Sequence, residues 1–103
     1  EHMQKAHEYI TENYRNSDFN YKALCHATGL EYAYFSELFK KTFKMSPVRF
    51  VTKMRIDYAK ELLVTNRWSV SEIAEMCGFS NTYYFSNVFK KQTGFSPSQY
   101  PDK

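Results

Sequence analysis

The chain contains one segment twice, at a constant offset of fifty residues. Residues 34–50 read YFSELFKKTFKMSPVRF, residues 84–100 read YFSNVFKKQTGFSPSQY, and eight of the seventeen positions are identical. The similarity continues upstream, where residues 23–30 (ALCHATGL) align with residues 72–79 (EIAEMCGF). A solenoid needs more than two repeats, because each repeat buries its core against neighbours. The duplication therefore indicates two matching units, with which one chain can contact a periodic partner twice.

Composition limits the chain to one compact unit or two very small ones. Its 103 residues are 43% hydrophobic and 18% aromatic, which argues against disorder because there is enough apolar surface to bury. No apolar run is long enough to span a membrane, and no secretory signal pattern is present. Cys25 and Cys77 fit neither a zinc spacing nor a redox pair, so we expect buried, reduced thiols, which suit the cytoplasm.

Positive charge is concentrated on the repeated units. The net charge is only +3, but residues 36–56 hold six bases against one acid, Glu37. Residues 79–100 hold Lys90 and Lys91 and no acid, whereas the first 34 residues hold five acids and three bases. This distribution favours a polyanionic partner for the repeated units, although a solvated surface would show the same charges.

Hydrophobic spacing and capping residues predict helices, and no stretch is typical of a strand. The first helix ends near residues 15–18, and its apolar side chains recur every three or four positions: Met3, Ala6, Ile10 and Tyr14. Asn20 caps a second helix, which Gly29 ends. We expect the inward-facing side chains of that helix to be Ala23, Leu24 and Ala27. A third helix covers about residues 32–43.

Ser46 and Pro47 open a long helix, because serine caps free amides and proline fits the first helical position. It reaches about residue 65 and spans roughly 28 Å at 1.5 Å per residue. Ser69 and Glu72 form a capping box for another short helix. Ser80 is the expected cap of a helix that runs to about residue 92.

A last turn starts at Pro97 and is cut short by Pro101. The sequence thus predicts an all-α fold of seven helices, forming two helix-turn-helix subdomains joined by a long connector helix. The expected divisions are an N-terminal subdomain over residues 1–46, the connector over 47–65 and a C-terminal subdomain over 66–103.

Each unit combines a short helix, a glycine turn and a second helix that ends in a lysine pair. This is the layout of a DNA-reading helix-turn-helix, whose second helix presents outward side chains to base edges in the major groove. Two such helices must lie about 34 Å apart to enter successive major grooves on one face of a duplex. A connector of roughly 28 Å with its packed ends gives a separation of that order. The sequence therefore predicts double-stranded DNA as the partner.

The residues 69–100, SVSEIAEMCGFSNTYYFSNVFKKQTGFSPSQY, closely resemble the hallmark segment of the AraC/XylS family of bacterial transcription regulators. The pattern Arg55-x-x-x-Ala59-x-x-Leu62-Leu63 in the connector fits as well, and the likeness covers about residues 4 to 100. The resemblance implies a seven-helix, two-subdomain DNA-binding domain of a sequence-specific activator or repressor. Such a domain is usually attached to a sensing or dimerisation domain, so we expect this chain to be a fragment.

The resemblance also implies which side chains contact DNA. The expected base contacts are Tyr32, Ala33, Ser36, Glu37 and Lys40 from the first recognition helix, and Asn81, Thr82, Tyr83, Ser86, Asn87 and Lys90 from the second. Asn87 can pair with adenine, and Glu37 departs from the basic or amide residue common in the family. Because Ala33 and Ser36 are small, we expect the second helix to carry more of the sequence preference. The expected phosphate contacts are Lys41, Arg55, Arg67 and Lys91.

Two other classes of function compete with duplex recognition. The basic helices suit a protein-interaction module that contacts an acidic partner such as RNA polymerase. A stacking role on single-stranded bases is open to Tyr32, Tyr34 and Tyr83. The sequence shows no paired carboxylates, nucleophile and base, phosphate loop or metal cluster, so we expect no enzyme, no cofactor and no metal.

Overall fold

A computed structural model describes residues 1–100. This part of the chain forms six α-helices and one 3-10 turn, and it contains no strand. The elements are α1 (His2–Asn13), α2 (Tyr21–Thr28), α3 (Tyr32–Phe43), α4 (Pro47–Leu63), α5 (Val70–Met76), α6 (Thr82–Thr93) and the turn Pro97–Gln99. The predicted all-α fold is confirmed, with a three-residue turn in place of a seventh α-helix. Pro101 lies outside the described residues.

Local chemistry explains where most helices begin. The Asn20 side chain accepts from the second and third amides of α2, and Ser46 caps α4 ahead of Pro47. Ser69 and Glu72 form the predicted capping box at the start of α5. The prediction that Ser80 caps α6 is wrong. Asn81 does so, because its side-chain oxygen accepts from the Tyr84 amide at 2.8 Å.

Two helix ends and one buried position differ from the sequence prediction. The first helix ends at Asn13 rather than near residues 15–18, and α4 ends at Leu63 rather than near residue 65. Ala27 is exposed, not buried, because the inward stripe of α2 consists of Leu24, Cys25 and Thr28. At 17 residues, α4 is about 26 Å long.

The buried side chains form two hydrophobic clusters. The first contains residues from α1, α2, α3 and the N-terminal half of α4: Met3, Ala6, Ile10, Leu24, Cys25, Phe35, Phe39 and Val51. The second contains residues from the C-terminal half of α4 onwards: Ile56, Ala59, Leu63, Ile73, Ala74, Cys77, Phe79, Phe85 and Phe89. Each helix-turn-helix pair therefore packs on its own core, and α4 belongs to both.

The molecule is elongated, with principal extents of 42 × 22 × 20 Å and a radius of gyration of 14.7 Å. A compact chain of this length has a radius of gyration near 13 Å. Two cores placed along one rod account for the difference. Among the described residues, no helix has the length and apolar character that crossing a membrane requires.

Candidate nucleic-acid interface

The two helices that follow the glycine turns present the same faces to solvent. Residues 33–50 and 83–100 have the same class of burial at every position. Phe35 and Phe39 of α3 are buried, as are Phe85 and Phe89 of α6. On the opposite side of each helix, most side chains are exposed, and within residues 1–100 this side is open to a partner. The repeat in the sequence is thus a repeat of exposed surface.

Most predicted base-contacting side chains lie on these open faces. Tyr32 is 65% exposed and Tyr83 is 78% exposed. Six more of the predicted residues are exposed: Ala33, Glu37, Lys40, Asn81, Asn87 and Lys90. Three are half-buried: Ser36, Thr82 and Ser86. The structure therefore brings the predicted residues of each helix together, and none of them lies inside a core.

Two of the predicted residues on α6 also have structural partners. Asn81 caps the helix through its side-chain oxygen, which leaves its amide nitrogen as the free donor. The Thr82 hydroxyl lies 3.2 Å from the hydroxyl of Ser71 on α5. The Asn81 bond stabilises the start of α6, and the Thr82 contact joins the first turn of α6 to the supporting helix α5.

Small side chains let the supporting helices approach the recognition helices. Cys25 and Cys77 are buried free thiols, as predicted. The Cys25 thiol donates to the Leu30 carbonyl at 3.3 Å, inside the first turn. Burial raises the pKa of the Cys77 thiol to about 12. Both cysteines serve packing, and no group of three or more potential metal ligands occurs in the described part of the chain.

A basic groove runs along α4 between the ends of the two recognition helices. It encloses about 700 Å³ between α4 and α6, and a neighbouring cavity of about 340 Å³ at the end of α3 shares Met45 and Arg49 with it. The cationic side chains that line the two cavities are Lys40, Lys44, Arg49, Lys53, Lys60 and Lys91. We call this surface the basic groove.

One carboxylate interrupts the positive charge of the basic groove. Asp57 lies 3.0 Å from the Lys53 ammonium and 3.6 Å from that of Lys60, and the three side chains are between 39% and 58% exposed. Exposed pairs of this kind add little stability. Their main effect is to lower the positive potential at the middle of α4.

Three of the four predicted phosphate contacts are exposed side chains, and the fourth is hydrogen-bonded inside the protein. Lys41, Lys91 and Arg67 are exposed, and the Arg67 guanidinium lies 5.9 Å from the Trp68 ring. Arg55 is half-buried and donates to two backbone carbonyls, those of Tyr14 and Asn16. Its interpretation as a phosphate contact stays a prediction, and these bonds favour a role inside the protein.

Sequence reasoning did not assign the cationic residues of α4 to one surface. Arg49, Lys53 and Lys60 recur at spacings of four and seven, which places them on one side of a helix. That periodicity was available in the sequence. Their position opposite Lys91 of α6 was not, because it depends on how α4 and α6 pack.

Comparison with known proteins identifies the domain. Residues 24–103 match a family model described as a helix-turn-helix domain. The chain is 38% identical over 100 residues to the raffinose operon transcriptional regulatory protein RafR of Pediococcus pentosaceus, and the match covers 97% of this chain but only 36% of RafR. The chain thus spans 36% of the length of that relative.

Two solved structures show the same fold. The C-terminal domain of the two-component response regulator yesN from Fusobacterium nucleatum is 34% identical, with a TM-score of 0.89 and 95% coverage of both chains. The DNA-binding domain of AdpA, solved in complex with a target DNA, has a TM-score of 0.90 over 97% of this chain and 89% of its own. At 24% identity the AdpA likeness supports the fold alone. The chain belongs to the AraC/XylS family of helix-turn-helix, DNA-binding transcription regulators.

Proposed function

We propose that α3 and α6 enter two successive major grooves on one face of the same DNA duplex and read it together. The observation that carries this proposal is the identical pattern of burial over residues 33–50 and 83–100. A protein with one working recognition helix has no need for a second helix with the same open face. A straight duplex offers an equivalent groove about every 34 Å along one face.

The dimensions of the molecule agree with this arrangement. The connector α4 is about 26 Å long, and the whole domain extends 42 Å along its main axis. Each recognition helix packs on its own core at one end of α4. One monomer would thus cover an asymmetric site of two adjacent groove segments, where a single helix-turn-helix needs a dimer. We accordingly propose two subdomains, residues 1–46 and 66–103, with the connector between them.

The two recognition helices differ in the chemistry that they offer. Asn87 of α6 presents an amide that can pair with adenine through two hydrogen bonds, while α3 has Glu37 at the equivalent position. A carboxylate is repelled by phosphates and accepts only from an amino group such as that of cytosine. We propose that α6 supplies most of the sequence preference and that both faces use the base-contacting residues named above.

The basic groove completes the interface by following the phosphates between the two major-groove segments. Its cations include Lys44, at the C-terminal end of α3, and Lys91, in the last turn of α6. Lys41 and Arg67 are proposed as further phosphate contacts. Contacts of this kind position the protein and make binding depend on salt, without selecting a sequence.

Selection of bound duplexes from a random pool, followed by hydroxyl-radical footprinting, tests the proposal. We expect two conserved motifs whose centres lie about 10 base pairs apart, each protected on the same face of the duplex. A single motif with a footprint of half that length would contradict simultaneous binding. Absence of duplex preference over competitor DNA would instead favour the protein-interaction alternative, with an acidic partner such as RNA polymerase.

RafR is a transcriptional regulatory protein, and the region that matches this chain makes up about a third of it. We propose that the full protein regulates transcription in the bacterial cytoplasm, with the domain attached to a sensing or dimerisation unit.

A further inference from the structure

The connector α4 passes from one core to the other at Arg55. Met54 packs against the first hydrophobic cluster, and Ile56 is buried in the second. If α3 and its core rotated relative to α6 and its core, the contacts around this part of α4 would have to change. The contacts of Arg55 decide how freely such a rotation can occur.

Arg55 binds the end of α1, which belongs to the first core. Its Nε donates to the Tyr14 carbonyl at 2.6 Å, and its Nη2 donates to the Asn16 carbonyl at 2.9 Å. Tyr14 is the residue that caps the C-terminus of α1, where the partial negative charge of the helix dipole favours a cation. A planar guanidinium can make both bonds in one fixed geometry, which a lysine ammonium cannot reproduce.

The same guanidinium contacts the turn of the second helix-turn-helix. Its central carbon lies 5.7 Å from the centre of the Phe79 ring, and Phe79 directly follows Gly78. Burial lowers the pKa of Arg55 from its ordinary value, and arginine remains charged at neutral pH in spite of such a shift. Arg55 thus joins α1, α4 and the second turn through one side chain.

Gly78 brings the second turn into direct contact with the end of α1. A Cβ atom added at Gly78 would lie 3.0 Å from the carbonyl carbon and oxygen of Arg15, and 3.0 Å from Nε of Arg55. Gly29 occupies the equivalent turn in the first repeat, where an added Cβ meets nothing within 4 Å. Both glycines have positive φ, +97° and +75°. The close approach therefore distinguishes the two turns.

Arg15 adds a second bond across the same contact. Its Nη1 donates to the Tyr58 hydroxyl of α4 at 2.8 Å, and its guanidinium carbon lies 4.8 Å from the centre of that ring. The Tyr14 and Tyr58 rings meet edge to face at 6.4 Å. We define the joint as Tyr14, Arg15, Arg55, Tyr58 and Gly78.

We propose that the joint fixes the relative orientation of α3 and α6 and so makes the domain selective for one spacing of its two half-sites. Arg55 and Gly78 are positioning residues in this proposal, and neither needs to touch DNA. The proposal rests on the proposed function, since spacing matters only when both helices bind. Adding one base pair between the half-sites rotates one of them by about 34° around the duplex, which a rigid protein cannot follow.

The first test compares Gly78→Ala with Gly29→Ala on duplexes in which the selected spacing is kept, shortened or lengthened by one base pair. Both variants carry the strain of alanine at positive φ, but only Gly78→Ala opens the joint. We expect the wild type and Gly29→Ala to prefer the selected spacing by about tenfold. We expect Gly78→Ala to bind the three duplexes within about twofold of one another. A wild-type preference in Gly78→Ala, or an equal loss in Gly29→Ala, would overturn the proposal.

Arg55→Lys gives the same test without a backbone change. This variant keeps the charge and loses the two-pronged bond to α1, so its preference for spacing should fall as in Gly78→Ala. If Arg55 instead contacted a phosphate, the affinity for all three duplexes would change together and their ratio would stay as in the wild type. That second result would also refute the joint.

A measurement on the free protein separates this proposal from the proposed function. Nitroxide labels on Thr42→Cys and Gln92→Cys sit at exposed, equivalent positions of α3 and α6, while Cys25 and Cys77 are buried. We expect a narrow distribution of label distances in the wild-type background and with Gly29→Ala, and a broader one with Gly78→Ala. Equal widths would overturn the joint even if DNA binding follows the proposal. A single motif in the selection would refute the proposed function. The label distances would then be the only test of whether the joint fixes the orientation of α3 relative to α6.

Discussion

Many side chains of this domain either lie on the open faces of the recognition helices or pack in the cores beneath them. Asn87 and Glu37 occupy equivalent, exposed positions of the two recognition helices. Cys77, only ten residues earlier in the chain, is fully buried. The chemistry available to each residue follows from this division, and it can be tested one residue at a time.

Asn87→Ala should relax the sequence preference at one base pair of the α6 half-site. Loss of a bidentate pair with adenine reduces discrimination by about 1–3 kcal/mol, which is roughly 5-fold to 150-fold. Sequencing of duplexes selected by the variant and by the wild type measures the effect. Thr42→Ala, at an exposed position of α3 outside the predicted base contacts, is the control and should leave the preferred site unchanged. Unaltered preference at every base in Asn87→Ala would contradict the assignment.

The buried Cys77 thiol should make the protein less stable in alkali. Its pKa rises from an ordinary value near 9 to about 12 because burial penalises the thiolate. Between those two pH values the unfolded chain loses this proton and the folded one keeps it, so the free energy of unfolding falls as pH rises. The contribution approaches about 1.4 kcal/mol per pH unit. Thermal melting from pH 8 to pH 10.5 should show a shallower decline in Cys77→Ala, and equal slopes would contradict this.

Side-chain caps mark the start of most of the helices. Asparagine or serine caps α2, α4, α5 and α6. In each case the side-chain oxygen accepts a hydrogen bond from a backbone amide in the first turn. At the start of α6, two adjacent polar residues compete for that role. The structure assigns the cap to Asn81 and leaves Ser80 exposed.

Asn81→Ala should lower the free energy of unfolding by about 1 kcal/mol, because the Tyr84 amide loses its acceptor. Ser80→Ala is the matched control and should change stability by less than about 0.5 kcal/mol. Asn81→Ser retains a capping oxygen, so it should be nearly as stable as the wild type. Urea unfolding of the three variants gives the comparison. A larger loss in Ser80→Ala than in Asn81→Ala would show that the cap is wrongly assigned.

At the scale of the molecule, the basic groove and the joint lie on one connector. Asp57 pairs with Lys53 and Lys60 inside the groove and reduces its positive potential. If the groove follows phosphates, this carboxylate opposes DNA binding. Its removal should therefore improve affinity.

Asp57→Asn should strengthen binding to all duplexes by a few-fold and make the dependence on salt steeper, because two more cations become available to phosphates. Glu8→Gln on α1 changes the net charge equally but lies on an exposed site away from the groove. It should leave both quantities close to the wild type. Titration of one duplex at several salt concentrations measures the slope. Equal effects of the two variants would show that only net charge matters and that the groove does not face DNA.

Short-range sequence patterns determined most of the helices of this protein. The apolar spacing and the caps of α2, α4 and α5 follow from nearby residues, because helical periodicity and capping act over a few positions. They sufficed to predict an all-α fold with two matching open faces. They did not separate Ser80 from Asn81 as a cap, since both residue types suit that position.

The joint was decided by tertiary structure alone. Arg55 looks in the sequence like one of several exposed cations, and its two carbonyl partners lie 41 and 39 residues away along the chain. Gly78 looks like the equivalent of Gly29, but only Gly78 is pressed against the end of α1. Contacts between distant segments depend on how two cores are placed on one rod, and no short-range pattern of residues encodes that placement.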